Sequence, residues 1–119
     1  MLQANSGHSF AGLFEPTGYL EWPRFAKESD TGHVTWSFVI DNKGRIESDS
    51  WELLLETPPD KGFAAAVKHY IIYRTNIVPR TSDGEGASVR LAVATTCCLI
   101  CEPSIEVVKG NLHAQLREP

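Results

Sequence analysis

The densest chemistry in the chain is Cys97-Cys98-Leu99-Ile100-Cys101, which holds all three cysteines. Cys98 and Cys101 stand in C-x-x-C spacing. At the start of a helix that spacing makes a redox dithiol, because the helix dipole lowers a thiol pKa. Here it closes an apolar run, and Glu102-Pro103 follows. A zinc site needs a second such pair or two histidines, and downstream only His113 is near. If the run stays extended, Cys97 and Cys101 are separated by four steps of ~3.3 Å, beyond the reach of a disulfide. An odd count in one cluster is not a disulfide framework. The plainer reading is buried structural thiols. The sharper alternative is a thiol redox or metal-binding protein using Cys97, Cys98 and Cys101.

Other reactive types are scattered. His33 and His69 have no Ser or Cys nucleophile at recognisable spacing, so both read as surface or satisfied histidines. Asp41 and Asp83 sit in Gly-containing turns, where an acid caps its own backbone. Trp36 and Trp51 fall on the apolar parity of strands and read as core. Trp22 is left open as a peptide or sugar contact. No catalytic residue, metal or cofactor is expected.

These residues need elements to hold them. Val34, Trp36, Phe38 and Ile40 alternate with His33, Thr35 and Ser37, the pattern of a strand with one buried face. The spacing predicts a first strand over 33–41, a turn at Asp41-Asn42-Lys43-Gly44, and a second strand over 45–56. Ile46 and the Trp51, Leu53, Leu55 set have opposite parity, so a bulge is expected near Ser48–Ser50. Thr57-Pro58-Pro59 ends that strand. A helix over 61–74 follows, with Asp60 as N-cap and Phe63, Val67, Tyr70 and Ile71 as its apolar stripe. Residues 75–86 read as a loop. A third strand is expected over 87–100, with Val89, Leu91, Val93, Cys97 and Leu99 on one face. The tail from Glu102 reads either as a short strand over 104–109 or as a helix on Ile105, Val108, Leu112 and Leu116. Residues 1–18 read as a flexible lead-in without period.

The expected architecture is α+β: a three-stranded antiparallel sheet of β-β-α-β topology, order 2-1-3, with one helix packed on one face. The third strand is then an edge with a row of unpaired N–H and C=O groups.

A length of 119 residues fits one domain. With 42% hydrophobic and 22% charged residues the composition is that of an ordinary globular domain. A net charge of −4 with no basic cluster argues against nucleic acid as partner. No run approaches the ~18 apolar residues of a membrane helix, and the first residues carry no export signal. The chain is expected to be cytoplasmic or a soluble piece of a longer protein.

Together these residues resemble the C-terminal domain of TonB-family proteins. That family has Tyr-Pro, then Ala, then Gly-x-Val leading an alternating strand that ends in an aliphatic residue and Asp. Here the matches are Trp22-Pro23 with Ala26, Gly32-His33-Val34, Ile40-Asp41 and Gly44-Arg45-Ile46. Phe63, Ala66 and Val67 match the helix, and Val78-Pro79 and Gly84 the loop before the last strand. The likeness covers about 19–99. Trp22 replaces the usual Tyr, Val78 an aromatic and Arg80 an Ala, and the Cys cluster and tail are outside the family pattern.

The resemblance implies a periplasmic energy-transducer domain, tied to the inner membrane only through an N-terminal anchor outside this chain. Its partner would be the N-terminal peptide of an outer-membrane transporter, added as a strand to the open edge. The implied contacts are Val89, Arg90, Leu91, Ala92, Val93, Ala94, Thr95 and Thr96, with Trp22 and Pro23 beside them. An adaptor or sensory domain of the same fold, or a homodimer that buries the edge, remains open.

Overall fold

The computed structural model describes residues 13–41, 43–77 and 88–112. The elements are β1 (Phe14–Pro16), β2 (Gly32–Ile40), β3 (Glu52–Thr57), α1 (Phe63–Tyr73), β4 (Thr75–Ile77), β5 (Val89–Cys97) and β6 (Ser104–Leu112). Val78-Pro79, Arg80, Asp83, Gly84, His113, Leu116 and the lead-in up to residue 12 lie outside the described residues.

The fold is α+β with one helix and antiparallel sheets, but it has two sheets rather than one of three strands. The main sheet has four strands in the order β3-β2-β5-β6, and β1 pairs with β4 in a small second sheet. The three expected strands keep their expected neighbours. The tail adds the fourth: Ser104–Leu112 is a strand, neither helical nor confined to 104–109. Phe14–Pro16 and Thr75–Ile77, expected as lead-in and loop, pair in register from Phe14↔Ile77 to Pro16↔Thr75.

The expected alternation shows over Gly32–Thr35 of β2, whereas from Ser37 to Ile40 every residue is buried, so both faces of the sheet are covered there. Val34, Phe38 and Ile40 are buried on the face shared with Val89, Leu91, Val93 and Cys97 of β5. Helix α1 lays Phe63, Val67 and Ile71 into the same core, so one sheet face and one helix stripe bury each other. Tyr70, on the same stripe, is also buried. Trp36 and Trp51 are half-buried and pack on this core. Their rings meet edge-on at 5.4 Å, and Lys68 Nζ stands 5.5 and 5.1 Å from the two ring centres.

Two expectations are corrected locally. Residues 45–51 do not form half of the second strand; Ile46 makes only an isolated bridge to Ile40. The irregularity lies further on, where Trp36 faces Leu53 and Thr35 faces Leu55. Leu54 is the extra residue of a bulge, which puts Leu53 and Leu55 on opposite faces and leaves all three leucines exposed. The helix N-cap is Gly62 at φ 94°, not Asp60. Its first turn is served from β3 instead, where Glu56 Oε2 accepts a bond from Ala64 N at 2.9 Å.

Gly32 opens β2 under the Phe63 ring. A Cβ at Gly32 would lie 2.4 Å from Phe63 Cδ1, and Phe63 has no exposed surface to retreat into. Gly32→Ala is expected to lose about 1–3 kcal/mol of stability through overpacking. Urea unfolding of the two chains measures it; an unchanged midpoint contradicts this packing.

Candidate functional site

The sequence places the partner contact on an open third strand, and the structure closes that edge. β5 pairs with β2 along one side, from Gly32↔Cys97 to Ile40↔Val89. It pairs with β6 along the other, from Thr96↔Ser104 to Val89↔Leu112. Val89, Arg90, Leu91, Ala92, Val93, Ala94, Thr95 and Thr96 therefore belong to an interior strand. The reason is that the six residues 98–103 turn the chain back on itself. The outer strands of the main sheet are β3 and β6.

The β5–β6 ladder has its own irregularity. Ala92 faces Lys109 and Val93 faces Val107, so Val108 is an extra residue. Ile105 and Val107 are half-buried against the core, while Ser104, Glu106 and Val108 are exposed. No side chain from Ser104 to Val108 is fully buried, so this half of β6 is held mainly by backbone bonds.

Side chains of β5 are occupied within the fold. Arg90 Nη1 donates to Ser37 Oγ at 2.7 Å, and Nη2 to the Ser50 carbonyl at 3.3 Å. Its guanidinium also stands 3.9 Å from Glu52. One side chain thus spans β5, β2 and β3 on the sheet face opposite the helix. Thr96 Oγ1 meets His33 Nδ1 across the ladder at 3.3 Å, an exposed pair. Thr95 is buried, and its hydroxyl has no partner among the described residues.

The turn 98–103 walls a cavity of about 310 Å³ with Leu20, Trp22 and Tyr70. Trp22 stands edge-on to Phe63 at 5.3 Å, and its buried Nε1 has no partner among the described residues. Trp22 is thus brought to the C-terminal end of β5. Pro23 is buried beside Gly62 and does not line the cavity. Desolvation first, and then the negative charge of Glu102, raise the Tyr70 phenol pKa above its ordinary value.

The cysteines divide into two kinds. Cys98 and Cys101 form a disulfide with Cα atoms 5.4 Å apart, within the usual span. The reading of three buried thiols fails because the strand ends at Cys97, so Cys98–Cys101 lies in a turn instead of an extended run. Cys97 is free and buried. Its Sγ donates to the Gly32 carbonyl at 3.7 Å. Burial pushes the thiol from 9.0 up to about 11, against a smaller opposing pull from that bond.

Asp41 behaves as the turn predicts. Its Oδ1 accepts from Arg45 N and Lys43 N, each at 2.9 Å. The Arg45 backbone bond is the largest influence and holds the carboxyl below its ordinary value. His69 tilts against Tyr73 at 4.8 Å. Among the described residues no three His, Cys, Asp or Glu side chains are grouped as a metal set.

No protein-family model, characterised protein or solved structure matches the chain.

Two outcomes follow from these placements. The folded pKa of Cys97 lies above its unfolded one, so its stabilising contribution is whole below pH 9.0 and is lost as pH rises toward about 11. Urea unfolding is expected to show the parent chain losing about 2–3 kcal/mol more than Cys97→Ala across that window. Trp22→Phe keeps the ring against Phe63 and removes an unpaired N–H, so thermal unfolding is expected to be unchanged or slightly raised. Trp22→Ala is expected to lose about 3–5 kcal/mol.

Proposed function

We propose that the chain is a binding module resembling the TonB C-terminal domain, with no reaction of its own. It takes up the N-terminal peptide of an outer-membrane transporter as an added strand. In a longer, inner-membrane-anchored periplasmic protein this couples inner-membrane energy to transport. The observation that carries the reading is β6. The outer side of β5 accepts a nine-residue antiparallel strand from Val89 to Thr96. The strand that sits there is the chain's own, and its first five side chains are at most half-buried. A backbone ladder with little apolar burial lies at the low-stability end of a fold. A peptide with better anchors facing Val93 and Thr95 exchanges for it, so Val89–Thr96 are the contact in the exchanged state. Trp22 lies at the end of that strand, beside the cavity.

Isothermal titration of the full chain with synthetic transporter N-terminal peptides tests this. Saturable binding is expected, with the free Ser104–Leu112 peptide as a competitor. Val107→Asp weakens β6 beside Val93 and is expected to tighten binding on the order of ten-fold, by raising the open fraction. Absence of heat with every such peptide, for both the parent chain and the variant, removes the reading.

A further inference from the structure

We propose that Cys98–Cys101 is a thiol–disulfide exchange site that takes a dithiol reductant, and that its state sets how firmly β6 lies on β5. The disulfide sits in the 98–103 connection, directly between the last residue of β5 and the first of β6. Apart from it, the bond within the turn among the described residues is a long backbone one, Cys101 N to Cys98 O at 3.5 Å. The covalent clip fixes the reversal that delivers Ser104 to Thr96. It therefore keeps β6 at high effective concentration over β5. With the clip open, the first half of β6 depends on a ladder interrupted at Val108 and on side chains from Ser104 to Val108 that are at most half-buried.

The two sulfurs are unequal. Cys101 is exposed and Cys98 is half-buried, and the turn presents Leu99 at 43% and Ile100 at 94% exposure. Attack therefore begins at Cys101. One thiolate of the dithiol bonds to Cys101 Sγ as the S–S bond breaks, and Cys98 leaves as a thiolate. The second thiol of the reductant then closes its own disulfide, releasing Cys101 as a thiolate. Two electrons pass from dithiol to protein, and both released thiolates take up protons from water. Cys97, one residue away, stays out of the exchange. Its Sγ is buried against the Gly32 carbonyl and remains protonated at neutral pH, and the thiolate is the attacking species. The pairing is thereby restricted to Cys98 with Cys101.

The regulatory consequence rests on the peptide-exchange reading above; the exchange site itself does not. Hydrogen–deuterium exchange of the full chain, with and without dithiothreitol, tests the proposal. Closing so short a loop is worth on the order of ten-fold in the opening equilibrium. Reduction is therefore expected to speed amide exchange across Ser104–Leu112 by about that factor, with Gly32–Ile40 unchanged. Cys98→Ser/Cys101→Ser is expected to match the reduced chain under either condition. A thiol-reactive dye is expected to label two sites after reduction and a third only in denaturant.

Equal exchange of β6 in both redox states overturns the proposal, as does labelling of Cys97 before Cys101. Peptide titration separates the two ideas. Binding with one affinity in both states keeps the module and removes the switch. Faster exchange on reduction without peptide binding keeps the switch and removes the module.

Discussion

The Phe63 ring lies over Gly32, at the one point in β2 where a side chain would have no room. Much of the domain converges there. The same ring receives the edge of Trp22 at 5.3 Å, which ties the segment before β2 to the helix. Gly32 offers its carbonyl to the Cys97 thiol, so the first residue of β2 also meets the last of β5. Gly62, next to Phe63, adopts a positive φ to turn the chain into α1, with Pro23 close by. A helix can descend this far onto a sheet only where the sheet has a hole in its surface. The burial of Val67 and Ile71 against Val34, Phe38 and Leu91 then follows from the height at which Phe63 seats.

The parts of this fold that were legible in the sequence are those with an uninterrupted period. Val34, Trp36, Phe38 and Ile40 marked β2, and Phe63, Val67, Tyr70 and Ile71 marked the inner face of α1. Where a bulge intervenes, the period breaks and the reading goes astray. Leu54 shifts the parity of β3, so Leu53 and Leu55 look like one face and are two. Val108 does the same to β6, which is why a helical spacing competed with a strand for the tail. β1 and β4 are three residues each, too short for any period. The helix cap is not legible in the local sequence because its partner, Glu56, comes from an adjacent strand and not from the preceding turn.

The candidate site was half legible. The residues of β5 were found as a strand by their alternation, but their place in the sheet depends on a segment whose own signal was ambiguous. Leu99 and Ile100 looked like more strand because they are apolar; in the fold they cap a turn in the open. That single misjudged reversal hid both the disulfide and the fourth strand. C-x-x-C spacing followed by Glu102-Pro103 was the available hint, since a proline ends a ladder and favours a turn. Arg90 shows a limit of another kind. Nothing in its neighbourhood announces that it will reach Ser37, Ser50 and Glu52, because those partners come together only once three strands are aligned.

Both outer strands of the main sheet carry an extra residue, Leu54 in β3 and Val108 in β6. Three consecutive leucines on an outer strand would otherwise make a sticky template for stacking one molecule's sheet onto the next. A kinked border cannot template a flat, continuous ladder, and the acidic residues Glu52 and Glu56 bracket the leucines like gatekeepers. The same irregularities that spoil the sequence period thus bend both borders of the sheet away from the flat geometry a fibril ladder requires, a feature of the two edges and not of the core.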